Sequence, residues 1–80
     1  MRVEVRLYAT FARYAPTQHA GEPFSADIAD SASLTDLIRK LSIPGQEVHL
    51  AIVNGRVIHN HSFGLSEADR IGLFPPVGGG

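Results

Sequence analysis

The chain has 80 residues, enough for one domain and too few for two. Its net charge of −1 and 44% hydrophobic content are those of a small globular domain, and its seven scattered Lys and Arg residues give no electrostatic reason to expect a nucleic-acid partner. There is no cysteine, which excludes a disulfide framework and a thiolate nucleophile, and no apolar run of the length of a secretory leader or membrane span, so a cytoplasmic protein is expected.

Residues 2–8 alternate: Val3, Val5 and Leu7 point one way, and Arg2, Glu4, Arg6 and Tyr8 the other. That period of two predicts a half-buried strand. Residues 9–14 are expected to make one helical turn that Pro16 ends. After a polar connection containing Gly21, the alternation of Phe24, Ala26 and Ile28 predicts a second strand. Ser33-x-x-Asp36 has the form of a helix start, and Leu34, Leu37, Ile38 and Leu41 make one apolar stripe. Arg39 and Lys40 suit the last turn, and Pro44-Gly45 is expected to stop the helix. Residues 48–53 predict a buried strand, Asn54-Gly55 a tight hairpin turn, and residues 56–59 the returning strand. A loop follows, with room for a helical turn over residues 66–69, and then a last strand over residues 70–74. The order β-β-α-β-β-β predicts an α+β layer with the helix across one face of the sheet.

The chain closes on Phe74-Pro75-Pro76-Val77-Gly78-Gly79-Gly80. Glycines pack no side chain and cost the most backbone entropy to order, so such a stretch is best explained by something it must reach. A glycine thread enters a channel too narrow for other residues, and two prolines favour an extended path out of the domain. Extended, residues 75–80 span roughly 20 Å. The expectation is a folded domain over residues 1–74 and a flexible tail over residues 75–80 whose Gly80 carboxylate is delivered to a partner. A carboxylate with a pKa of about 3.5 is ionised and a poor electrophile at neutral pH, so it needs conversion to an acyl-adenylate before sulfide, a thiol or an amine attacks it. The chain shows no nucleophile motif and no phosphate-binding loop of its own, so activation falls to another protein.

The segments Ala51-Ile-Val-Asn-Gly55 and Leu65-Ser-Glu-Ala-Asp-Arg-Ile-Gly-Leu-Phe-Pro-Pro-Val-Gly-Gly-Gly80, with the opening Val3-Glu-Val-Arg-Leu-Tyr-Ala9, resemble the small subunit of molybdopterin synthase, the MoaD family. The resemblance implies a ubiquitin-like β-grasp, a mixed sheet of about five strands with one main helix. It implies that an E1-like adenylyltransferase uses ATP to adenylate Gly80, and that a sulfur donor system converts it to a thiocarboxylate. The loaded tail would enter the large subunit of the synthase, with a heterotetramer as the implied assembly, and give its sulfur to the pyranopterin precursor. Gly79 and Gly80 then form the diglycine, Pro75, Pro76 and Val77 the guiding segment, with Gly78 also in the tail, and Phe74 a partner contact. Three positions depart from the family. Ala68 precedes Asp69 where glycine is usual, which argues against a left-handed turn there. Phe11-Ala12-Arg13 replaces a family Leu-Arg-Glu, leaving Arg13 to stand in for a basic partner contact. Gly78 stands where Ala, Ser or Thr is more usual.

Tyr8 lies opposite Val3, Val5 and Leu7, and with Phe74 it is expected either to form an apolar patch for a partner or to pack under a loop. His59 and His61, with His49 or His19, have the alternation of a metal-binding strand, but no cysteine or close carboxylate completes the set, so no metal and no bound cofactor are expected. Alternative readings are a sulfur carrier for thiamine (the ThiS family), cysteine or another sulfur metabolite, a ubiquitin-like protein modifier that joins Gly80 to lysines, and an interaction module with a vestigial tail.

Overall fold

The alternation at the start of the chain is realised as strand β1 (Arg2–Leu7), whose Val3, Val5 and Leu7 are buried. A computed structural model describes residues 1–76. It contains β1, β2 (Phe24–Asp27), a helix α1 (Leu34–Lys40), β3 (Leu50–Val53), β4 (Arg56–Ile58) and β5 (Arg70–Phe74). Two short 3₁₀ turns, Ala9–Tyr14 and Gly45–Glu47, join them. The five strands form one sheet in the order β2-β1-β5-β3-β4. β1 pairs antiparallel with β2 and parallel with β5, while β3 is antiparallel to both β4 and β5. This is the ubiquitin-like β-grasp, and β5, the last strand in sequence, is the middle strand in space.

One face of the sheet meets the helix. Leu34, Leu37 and Ile38 of α1 are buried in one cluster with Val5 and Leu7 of β1 and with Ile71 and Leu73 of β5. Five of these seven side chains have no exposed surface at all, and this layer supplies the main hydrophobic stabilisation of a domain of this size.

The helix begins as its sequence predicts. Ser33 Oγ accepts from Asp36 N at 3.3 Å, and the Asp36 carboxylate accepts from Ser33 N at 2.8 Å. The other donors of the first turn are met by the loop that follows β4: Leu34 N donates to Phe63 O and Thr35 N to His61 O, each at 2.9 Å. No N-terminal amide of this helix is left for a ligand.

Its end differs from the sequence expectation. The chain leaves the helix two residues before Pro44, at Ser42, which takes a left-handed φ of 64°. Ile43 N donates to Ile38 O and Ser42 N to Arg39 O, the paired bonds of a Schellman closure. Pro44 and Gly45 instead enter the second 3₁₀ turn, which shortens the expected strand at 48–53 to Leu50–Val53.

The Asn54-Gly55 hairpin forms as read, with positive φ at both residues (51° and 83°). At residues 66–69 the expected helical turn is replaced by a tight reversal in which Ala68 has a φ of 68°. The left-handed residue that Ala68 argued against is therefore present. Surrounding bonds hold it there: Ala68 N donates to Arg2 O, Asp69 N to Ser66 O, and Ser66 N to the Asp69 carboxylate. Asn54 joins the same cluster, donating to Asp69 Oδ1 at 2.8 Å and accepting from Arg70 N at 2.9 Å. A residue held by this many bonds can keep a strained conformation.

Candidate functional site

The sheet's outer face, away from the helix, carries the residues singled out in the sequence. Strand register makes its rows explicit. Glu4 lies beside Arg70, and Arg6, Gly72, Ile52 and Val57 form the next row across four strands. Phe74 pairs with Leu50 in the row beyond. Because the parallel pairing of β1 with β5 runs to Leu7 and Leu73, the next residues, Tyr8 and Phe74, stand side by side. Their rings stack with centroids 4.2 Å apart and planes within 2° of parallel.

Gly72 leaves room beneath that stack. A β-carbon on Gly72 would stand 3.3 Å from Tyr8 Cε2 and 3.6 Å from Phe74 Cε1, so the two rings lie over a bare stretch of backbone. Gly21, at a φ of 76°, abuts the other edge of the Tyr8 ring and donates its N–H to Leu7 O at 2.8 Å. Tyr8 N donates to Leu73 O, and Phe74 O accepts from His49 N at 2.9 Å. Phe74 is thus fixed through its side chain by Tyr8 and through its carbonyl by the residue before β3.

The face around the stack has a hollow of about 200 Å³, lined by Tyr8, Ile52, Gly72 and Phe74 together with Arg6 and Arg70. Val57, 48% exposed, extends the apolar row to the β4 edge. Glu4 and Arg6 approach to 3.6 Å, a solvated ion pair worth at most about 1 kcal/mol. An apolar centre with charged groups beside it is the anatomy of a protein-docking face.

Of the residues expected at a partner surface, the fold brings Tyr8 and Phe74 together. Arg13 lies elsewhere, on the first 3₁₀ turn, where its guanidinium sits 5.0 Å from the Tyr14 ring centroid and donates to Tyr14 Oη. Pro75 is buried and Pro76 exposed, so the chain leaves the surface between the two prolines. The expectations for Val77, Gly78, Gly79 and Gly80 lie outside the described residues.

The histidines do not share a strand. β4 ends at Ile58, and the chain turns at Asn60, whose Oδ1 accepts from Ser62 N and whose carbonyl accepts from Phe63 N. The alternation that put His59 and His61 on one side therefore does not apply. Among the described residues no three His, Asp or Glu side chains are placed to hold a metal ion. The bonds from the Ser33 backbone and side chain, with a smaller contribution from Arg39, hold the Asp36 carboxyl below its usual range, a consequence of the helix cap.

The sequence reading missed Gly72, Gly21, Leu50, Ile52 and Val57. A glycine inside an otherwise apolar strand was the available signal for the first. Residues 50–53 are apolar throughout, so their alternation hid which side chains face outward.

Comparison with known proteins places this architecture. The model of the ThiS family matches residues 6–80, nearly the whole chain and all of its C-terminal segment. The chain belongs to the ThiS family. A solved complex of subunits 1 and 2 of the molybdopterin-converting factor from Helicobacter pylori 26695 contains a chain 28% identical to this ThiS-family chain, with both covered completely and a TM-score of 0.61. The putative molybdopterin converting factor subunit 1 from Pyrococcus furiosus is 23% identical, with 96% of this chain and 99% of that one covered and a TM-score of 0.70. Small archaeal modifier protein 1 from H. volcanii is also 23% identical, over 95% and 98% of the two chains, with a TM-score of 0.70. These last two share the fold. No curated protein is similar enough to register as a match. The fold is that of the ubiquitin-like ThiS and MoaD sulfur carriers.

Proposed function

We propose that this chain is the sulfur-donating subunit of a molybdopterin synthase. An E1-like adenylyltransferase joins the Gly80 carboxylate to the AMP moiety of ATP with release of pyrophosphate. A sulfur donor system then displaces AMP to leave a thiocarboxylate. The sulfur passes from Gly80 to the pyranopterin precursor inside the large subunit, and the chain returns as a carboxylate to be loaded again.

The observation that carries this reading is the family match running to Gly80, on a fold whose central strand ends at Phe74. Pairing of β5 with β1 along one edge and β3 along the other gives the segment that follows a firm base. The apolar face around Tyr8, Ile52, Val57 and Phe74 gives a partner a place to dock. The complex of subunits 1 and 2 in the 28% identical relative supports a large-subunit partner. In this reading the chain supplies no catalytic side chain. It supplies a covalent group at high effective concentration, because docking of the folded domain delivers the thiocarboxylate to one place. The diglycine Gly79-Gly80 enters the partner's active site, guided by Pro76, Val77 and Gly78, in the cytoplasm, where ATP and the sulfur donor are at hand.

Removal of Gly80 in the native host tests the proposal. Loss of molybdopterin, with the truncated domain still folded, is the expected result. A requirement for thiamine or cysteine with molybdopterin intact would move the chain to another sulfur pathway. Retained molybdopterin and no nutritional requirement would refute the carrier reading.

A further inference from the structure

The outer-face aromatics have a geometry that docking alone does not require. Two half-buried rings lie parallel to within 2°, over a glycine that leaves them room and beside a second glycine in a left-handed turn. One ring belongs to the residue after β1 and the other to the last residue of β5. Phe74 is the last residue of the sheet before the chain emerges at Pro76, and Pro75 between them is buried. The φ of each proline is set by its ring, so the path out starts from Phe74, whose carbonyl is held by His49 N and whose ring is held by Tyr8.

We infer that Tyr8 is a positioning residue for the reaction at Gly80: by stacking on Phe74 over Gly72 it fixes the direction in which Pro75 and Pro76 leave the sheet. The inference rests on the carrier reading above and deepens it. Tyr8 does not touch the reacting carboxylate. It acts through Phe74, and its hydroxyl has no part, because the stack uses only the ring face. An apolar docking contact would contribute to affinity. A clamp on the exit contributes to how often a docked chain presents its carboxylate correctly, where a misplacement of about 1 Å costs on the order of 100-fold in rate.

Three variants separate these roles. Tyr8→Ala removes one ring. Gly72→Val inserts a branched side chain beneath both rings while suiting a strand. Tyr8→Phe keeps the stack and loses only the hydroxyl. Each is titrated in ATP–pyrophosphate exchange with the activating enzyme purified from the native host. In that step a Gly80 carboxylate oxygen bonds to the α-phosphorus, the bond from that phosphorus to the bridging oxygen breaks, and pyrophosphate leaves. Tyr8→Ala and Gly72→Val are expected to lower kcat at least about tenfold, whatever happens to KM, and Tyr8→Phe to match the wild type. Normal kcat in both disruptive variants, with only KM raised, would overturn the inference, as would a Tyr8→Phe variant as impaired as Tyr8→Ala. Absence of exchange by the wild type itself would count against the carrier reading instead. NMR of the chain alone decides the clamp independently: the Cα–Hα residual dipolar couplings of Pro75 and Pro76, referred to those of β5, should change in Tyr8→Ala and Gly72→Val and match the wild type in Tyr8→Phe. Unchanged proline couplings in both disruptive variants would overturn the inference whatever the function.

Discussion

Ala68 occupies a left-handed φ of 68° in the turn that launches β5, and replacing it with glycine should stabilise the protein. For an L-residue with a β-carbon that conformation costs about 1–2 kcal/mol, which glycine avoids. Glycine also gains freedom in the unfolded chain, which takes back about 0.4–1 kcal/mol. The difference leaves Ala68→Gly more stable by roughly 0.5–1 kcal/mol. In a domain of this size that corresponds to a rise in Tm of about 2–8 °C. The bonds that hold the turn are made by the backbone of Ala68 and Asp69, the Asp69 carboxylate and Asn54, so they survive the substitution. Thermal unfolding followed by circular dichroism, with Ala68→Val as the opposite control, measures the effect. The valine side chain adds branching at the strained position, so that control should lower Tm. A Tm for Ala68→Gly equal to or below that of the parent would refute the claim that this turn stores strain.

Other expectations are independent of that turn. Asn54→Gly keeps the left-handed hairpin position but loses the bonds to Asp69 and Arg70, and urea unfolding should show a loss of about 1–2 kcal/mol. Ser33→Ala removes the helix cap and should cost about 1 kcal/mol at neutral pH in the same assay. Because the folded-state pKa of Asp36 is depressed below 3.8, its contribution is fully present above that value and is lost as pH falls through the folded pKa. The parent should therefore lose more stability than Asp36→Asn when pH is lowered from neutral through and below 3.8, and equal losses would contradict the assignment. Leu73→Ala deletes a fully buried side chain on the central strand and should cost about 2–5 kcal/mol, a large part of the stability of a small domain.

Much of this fold was legible because local signals agreed with the global answer. The alternation in β1, the Ser33–Asp36 capping box and Asn54-Gly55 each specify an element without help from the rest of the chain. What was not legible depended on partners distant in sequence or on local turns made without the usual glycine. Ala68 is left-handed because bonds within residues 66–69 are joined by others from Arg2 and Asn54, and nothing within residues 66–69 reports those distant partners. Ser42 ends the helix in a role glycine usually fills, so the stop was credited to the nearby Pro44-Gly45 although the apolar stripe already ended at Leu41. His59 and His61 have strand spacing, but Asn60 between them is a turn former whose side chain accepts from Ser62 N, and that signal was passed over. For the candidate site, Tyr8 and Phe74 could be named from the sequence, but their stacking required the parallel pairing of β1 with β5. Gly72 acquires meaning only once both rings are seen above it, and Arg13 was set apart from them by its contact with Tyr14.

The central claim is that Gly80 carries sulfur, and intact-mass spectrometry of the protein purified from its native host tests it most directly. The account predicts a population heavier by the replacement of one oxygen with one sulfur, localised by fragmentation to Gly80. Gly80 found joined instead to lysine side chains of other proteins, with no sulfur-bearing form at any stage of growth, would contradict it.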